Sequence, residues 1–272
     1  MAKPAISIII PALNEEKFLP NLLSSIAGQT EQPLEVIVVD GKSRDKTVAA
    51  ARGFKNKLPS LRVIVADRAS LPYQRNLGAK AARGQWNVFV DADTVLQPYC
   101  LKRLEAVIAS GDMRFITAWG SPDSGTGQDA LSTLVYNLLI EAGILLKRPF
   151  SPGPFTVIKR DVFMQVGGYD EQLEFGEDQN MTVRLIAMGI QLAVIRETLY
   201  IWSMRRFRAQ GLFRPLRAYV LSSLTILFTK NNFRSMPGYV MGGHVYQKRK
   251  PIRRTVMKDF ERKLKKIIGD LF

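Results

Sequence analysis

The chain has 272 residues, long enough for one large α/β domain or two small ones, and its 46% apolar content is ordinary for a globular protein. Its one cysteine, Cys100, excludes an internal disulfide framework and a cysteine-only metal cluster, and fits a reducing compartment. The charge is lopsided: residues 203–272 hold 17 Lys+Arg against 3 Asp+Glu, a net of +14 out of +15 for the whole chain. Nucleic acid, an anionic membrane surface and phosphorylated substrates would each suit that C-terminal quarter.

The opening MAKP leads straight into a strand-like run and lacks the regions of a secretory signal, so a cytoplasmic location is expected. Residues 5–10 (AISIII) read as a strand buried on both faces. A loop follows over 11–16, where Asn14 is placed to cap a helix running to about Ala27. Residues 34–39 (LEVIVV) form a second buried strand that ends in Asp40-Gly41-Lys42-Ser43-Arg44-Asp45, with a helix from about Lys46. A strand over 61–66, a helix over 71–82 and a strand over 86–90 complete an alternation that implies right-handed βαβ units and a mainly parallel sheet.

The second half is more mixed. A helix over 98–109 and a strand over 115–120 precede SPDSGTGQ (121–128), which reads as a mobile loop. Residues 149–155 are proline-rich; a short strand (155–158), a short helix (160–166) and a helix from Glu177 or Asp178 to about Met188, stopped by Gly189, come next. Short strands are expected over 191–195 and 199–202, and an amphipathic basic helix over 258–268. The apolar stretches 131–146 and 218–229 are too interrupted or too short to span a bilayer; both fit either buried core helices or helices in a membrane interface.

Three strands end in polar residues (11–15, 40–45 and 91–93), and in a parallel sheet those ends share one edge, where open α/β folds bind ligands. The strand ending Asn87-Val88-Phe89-Val90 runs into Asp91-Ala92-Asp93. Two carboxylates converging there are hard oxygen donors suited to a divalent cation that holds a phosphate.

Taken together, several segments resemble the family 2 glycosyltransferases with the GT-A fold. They are Ser7-Ile8-Ile9-Ile10-Pro11-Ala12-Leu13-Asn14-Glu15, VVDGKSRDKT (38–47), Arg75-Asn76-x-Gly78, Asp91-Ala92-Asp93, Gly167-Gly168-Tyr169-Asp170-Glu171 and Glu177-Asp178. The resemblance covers about residues 5–205 and weakly reaches His244. It implies a GT-A domain over 1–205, with a nucleotide-binding half to about 95 and an acceptor half from about 96, followed by a basic helical region over 206–272. Its activity would be inverting transfer from a nucleoside diphosphate sugar, UDP-linked, using Mn²⁺ or Mg²⁺.

The resemblance also assigns roles. Asp93, with Asp91 and His244, would hold the metal. Asp40 would accept a hydrogen bond from the base, and Pro11, Ala12, Asn14, Glu15, Arg75 and Ala92 would line the nucleotide pocket. Asp178 would take the acceptor's proton, with Glu177 beside it. Arg205, Arg206 and Arg208 are candidates for the diphosphate. The segment Trp202-Ser203-Met204-Arg205-Arg206-Phe207 departs from the Gln-x-x-Arg-Trp of processive members, which argues against a processive synthase. The acceptor would be a lipid-linked or cell-envelope glycan, with the basic tail on the inner face of the membrane. The competing readings are a retaining transferase on the same fold, a sugar-phosphate nucleotidyltransferase and a nucleic-acid-binding protein. The nucleotidyltransferase lacks its glycine-rich basic opening here. The nucleic-acid reading leaves the acidic motifs unexplained, so no nucleic-acid partner is expected. Oligomeric state is not legible.

Overall fold

Ile6, Ile8 and Ile10 of strand β1 (Ile6–Ala12) pack into one apolar layer and Ile9 into the other, so period-two burial puts a core on each face of the sheet. The computed structural model describes residues 5–124 and 126–210. After β1 come α1 (Leu19–Ala27), β2 (Glu35–Asp40), α2 (Thr47–Arg52), β3 (Leu61–Val65), α3 (Leu71–Ala81) and β4 (Trp86–Val90). The second half adds β5 (Val95–Leu96), α4 (Cys100–Ala109), β6 (Phe115–Pro122), α5 (Gly127–Leu145), β7 (Phe155–Lys159), α6 (Arg160–Gln165), α7 (Glu177–Ala187), β8 (Leu192–Trp202) and α8 (Arg205–Gln210). The strands form one sheet in the order β3-β2-β1-β4-β7-β6-β8-β5. Strands β3, β2, β1 and β4 are parallel, β7 runs antiparallel to both its neighbours, and β6 and β8 are parallel. Helices α1 and α4 cover one face; α3, α6 and α7 cover the other.

Several elements differ from the sequence expectation. Asn14 does not cap α1, which begins after Phe18 with a proline in its first turn and no side-chain cap. Asn14 instead adopts a left-handed backbone (φ 54), which asparagine tolerates, and its Oδ1 accepts from the Arg44 N–H at 2.7 Å. It therefore ties the loop after β1 to the loop after β2. Pro11 and Ala12 are strand residues rather than loop: the ladder to β4 ends at Ile9–Phe89, before the proline's missing N–H would matter.

The two short strands expected over 191–202 are one strand, β8. Its register against β6 shifts around Trp119, and the polar residues that break the pattern find partners, Arg196 with Glu141 and Glu197 with Arg103. The two-residue strand β5, which pairs with β8, carried no periodic signal. Within 121–128, residues 121–124 and 126–128 are not a free loop. They finish β6 and open α5, because Asp123 accepts from the Met204 N–H and Arg208 while Thr126 caps the helix. The expected helix over 258–268 and the apolar stretch 218–229 lie outside the described residues.

Helix α3 sits close against β1 and β2 because Gly78 has no side chain: a Cβ there would collide with Ile9 Cγ2 and press on Val39. Gly78→Ala is expected to destabilise the chain by about 1–3 kcal/mol through overpacking. Urea unfolding checks it; an unchanged midpoint would show that α3 shifts without strain.

Candidate active site

The parallel strands β1, β2 and β4 end on one edge, and the register places Ala12 directly beside Asp40. Gln74 of α3 fastens that corner, donating to Ala12 O (3.0 Å) and Val39 O (2.7 Å). Asp40 is 1% exposed, and its Oδ2 accepts from the Ser43 N–H at 2.9 Å. Its Oδ1 is buried and accepts from no described group. A buried carboxylate oxygen left without a donor is costly unless a ligand supplies one.

Farther along the edge, Asp91 and Asp93 follow β4, and Ala92 between them is buried in the core, so both acids turn away from it. Each meets a different arginine. Asp91 Oδ1 accepts from Arg75 Nη2 at 3.1 Å. Arg75 is 1% exposed, lies 5.1 Å from the Tyr169 ring and also donates to Gly153 O (3.1 Å), Glu177 (3.1 Å) and Asp178 (2.6 Å). Asp93 pairs at 2.9 Å with Arg205 of α8, which also grips Glu15 through two bonds of 2.6 and 2.9 Å. The result is a line of acids bridged by two arginines, from Glu15 through Arg205 to Asp93 and from Asp91 through Arg75 to the Glu177–Asp178 pair.

Local structure presents each group. Gly176 takes a left-handed φ of 74° and turns the chain into α7, so Glu177 and Asp178 occupy the helix's first turn, where the dipole favours carboxylates. Asn76, next to Arg75, accepts from the Tyr169 N–H (2.8 Å) and donates to Tyr169 O (2.8 Å) and Glu171 (2.9 Å). That clamp holds the glycine-rich 167–171 segment against α3 and brings α7 to the edge.

The line contains five carboxylates and two guanidiniums, and acids still outnumber bases when Arg206, whose charge reaches Asp93, is added. Burial raises Asp178 to about 7 against the pull of Arg75, with Glu177 adding to the rise. Burial likewise raises Asp91 to about 6 and Glu15 to about 7, each opposed by its arginine. Asp93 is raised by burial against Arg205. Such an edge repels a diphosphate arriving alone and attracts one that brings a cation. Among the described residues no three His, Cys, Asp or Glu side chains converge as a metal cage. Asp91 and Asp93 fit the other kind of site, in which one or two carboxylates and the substrate's phosphates share a Mg²⁺ or Mn²⁺ ion.

The structure thus brings Pro11, Ala12, Asn14, Glu15, Asp40, Arg75, Asp91, Ala92, Asp93, Glu177 and Asp178 along one edge. His244 lies outside the described residues. Arg75 is not a surface cation: its charge is spent inside the protein on three carboxylates. Of the three candidate arginines after β8, Arg205 meets Glu15 and Asp93, whereas Arg208 pairs with Asp123 and Asp129. Asn76 stood in the Arg75-Asn76-x-Gly78 segment without a role of its own, and Gly153 was not singled out. The signal for Asn76 was the run Gln74-Arg75-Asn76 on the buried side of a helix; Gly153 offered none.

A sequence profile described as glycosyl transferase family 2 matches residues 7–167, more than half of the chain. An "Uncharacterized glycosyltransferase" of Haemophilus influenzae is 27% identical over 184 residues, 66% of this chain and 62% of that protein. The poly(ribitol-phosphate) beta-N-acetylglucosaminyltransferase TarS of Staphylococcus aureus is 27% identical over 212 residues, 74% of this chain but 35% of that protein. The chain therefore spans less than two thirds of the length of either relative. The crystal structure of TarS with UDP superposes with a TM-score of 0.60 at 21% identity, covering 83% of this chain and 73% of that one. The mannosyltransferase PcManGT of Pyrobaculum calidifontis, in complex with GDP-Man and Mn²⁺, reaches 0.67 at 21% identity, covering 86% and 66%. Likeness at that identity shows a shared fold.

Proposed function

This chain belongs to glycosyl transferase family 2 and has the family's GT-A type α/β fold, and from that premise we propose that it transfers a sugar, with inversion, from a UDP-sugar to a lipid-linked or cell-envelope glycan hydroxyl. The observation that carries the proposal is the buried Arg75, whose one guanidinium contacts both Asp91 and Asp178. It ties a carboxylate suited to the donor's phosphates to a carboxylate suited to the acceptor's hydroxyl. The UDP complex of TarS supports the choice of nucleotide.

Asp40 Oδ1 accepts the ring N3–H of uracil, which gives that buried oxygen the donor it lacks. Pro11, Ala12 and Asn14 line the base and ribose, and Ala92 packs the floor beneath the two acids. Asp93 and Asp91 would hold the divalent cation, and His244, outside the described residues, is a further candidate ligand. When bound, the cation neutralises the charge that grows on the departing diphosphate. Asp178 accepts the acceptor hydroxyl's proton as the oxygen attacks the anomeric carbon from the face opposite UDP. Its raised pKa makes it a stronger base than an ordinary carboxylate. Glu177 shares Arg75 and keeps Asp178's orientation. The basic C-terminal quarter holds the protein on the inner face of the membrane, each Lys or Arg near an anionic bilayer contributing about 1 kcal/mol.

Calorimetric titration of UDP with and without Mn²⁺ tests the nucleotide site. Binding is expected to strengthen with Mn²⁺, and Asp93→Ala to remove the Mn²⁺-dependent part. Equal affinity in the presence and absence of metal, unchanged by Asp93→Ala, would remove the metal from this reading. His244→Ala with full metal dependence would remove that ligand alone.

A further inference from the structure

Helix α5 is amphipathic in the sense opposite to that of a water-facing helix. The side turned to the protein is largely polar: Asp129, Thr133 and Asn137, at i, i+4 and i+8, are buried, with Ile140 and the Tyr136 ring as its apolar contacts. Asp129 accepts from Ser124 and pairs with Arg208; Asn137 both donates to Gly120 O (3.0 Å) and accepts from its N–H (3.2 Å). Glu141 pairs with Arg196 and accepts from Trp119. The outward side carries Leu131, Leu134, Val135, Leu138 and Leu139, 42–56% exposed and spaced i, i+3, i+4, i+7, i+8 as a single stripe. Leu145, 83% exposed, and Leu146 extend it to Lys147. Seven of the thirteen exposed large apolar side chains among the described residues lie here. Water is a poor neighbour for a stripe of that size.

Its place in the fold gives the stripe a direction. Helix α5 leaves β6 and returns to β7 at the catalytic edge. Asp123, just before it, holds Arg208, and Gly153, just after it, accepts from Arg75. The +14 C-terminal quarter also starts there, since Arg208 bonds both Asp123 and Asp129. Exposed apolar side chains running up to an exposed Lys147 suit the interface of an anionic bilayer, where leucines enter the acyl boundary and Lys/Arg meet the headgroups.

We propose that the α5 leucine stripe seats the protein on an anionic lipid surface with the catalytic edge at headgroup level. This rests on the lipid-linked acceptor proposed above and gives that acceptor its route to Asp178.

The test is co-sedimentation of the full chain with phosphatidylcholine vesicles and with phosphatidylcholine–phosphatidylglycerol vesicles, at low and high salt. Leu134→Gln/Leu138→Gln is the probe, because both side chains are half exposed and outside the core; UDP calorimetry on the same variant checks that it is folded. Wild type is expected on the anionic vesicles. The double variant is expected to partition about tenfold more weakly or less still, the loss that follows from taking two leucines out of an apolar contact, with UDP binding unchanged.

Full vesicle binding by the double variant, or none by wild type, overturns the proposal. So does a solution dimer that the double variant dissociates, which makes the stripe a self-interface. So does hydrogen-exchange protection of α5 without vesicles that is lost on deleting residues 218–229, which makes the chain its own cover. Vesicle binding reads no transfer, so a chain that sediments but ignores UDP overturns the UDP-linked donor and leaves this proposal standing.

Discussion

Asp178→Asn is expected to lower sugar transfer by about 10²–10⁴-fold, the range for a lost general base, while UDP binding with Mn²⁺ survives. The amide keeps the size and the hydrogen-bonding oxygen but cannot take a proton. The pH profile separates this from a structural loss. Burial favours the neutral acid and raises Asp178 to about 7, so the base is protonated below that value. Wild-type kcat/KM should therefore rise with pH up to about 7 and then level. The residual activity of Asp178→Asn should lack that limb. Steady-state kinetics across pH decides it: full activity in Asp178→Asn removes the role. A loss confined to Glu177→Gln moves the base to its neighbour.

Arg75→Ala is expected to be the most destabilising single change in the site, costing about 3–5 kcal/mol, the range for removing one partner from a buried ion pair. It strands Asp91, Glu177 and Asp178 around a hole that Gly153 and the Tyr169 ring already wall off. The sign of its pH dependence follows from the raised carboxylates. Asp91 and Asp178 sit at about 6 and about 7 in the folded chain against 3.8 as ordinary aspartates. The folded state therefore binds protons more tightly than the unfolded one, and stability falls as pH rises through that window. Arg75 lowers both values, so its loss widens the window upward. The variant should be closest to wild type in mildly acidic buffer and farthest from it in mildly alkaline buffer. Urea unfolding at both pH values measures this. A deficit that does not grow with pH would show that Arg75 acts by packing alone. Arg75→Lys, which keeps the charge but loses the fork, should recover part of the stability.

Much of this site was legible because its signals are local. An apolar run ending in Asp91-Ala92-Asp93 needs only a strand and a turn to aim two carboxylates at one edge. Asp40 and the 11–15 segment follow from the same rule once the sheet is parallel. Gly189 stops α7 where expected, with a φ of 78°, because the next residue must leave the helix through the left-handed region. Errors occurred where a distant group overrode a local preference. Asn14 had a capping pattern but found the Arg44 amide from another loop. The polar Arg196-Glu197-Thr198 run looked like a break between strands, but partners on α4 and α5 let β8 run through it. The stretch 121–128 looked free until Arg208 and the Met204 amide met Asp123.

The sequence by itself determined the alternation of strands and helices, the parallel pairing of the first four strands in space and the acidic character of their edge. Those rest on periodicity and on turns, interactions between residues a few positions apart. Tertiary structure alone decided that Arg75 is buried among three carboxylates, that Arg205 rather than Arg208 faces Asp93, and that α5 turns its leucines outward. Each of these depends on groups from distant parts of the chain meeting in a poorly hydrated space. There an ion pair or an amide clamp outweighs what any single helix would choose for itself.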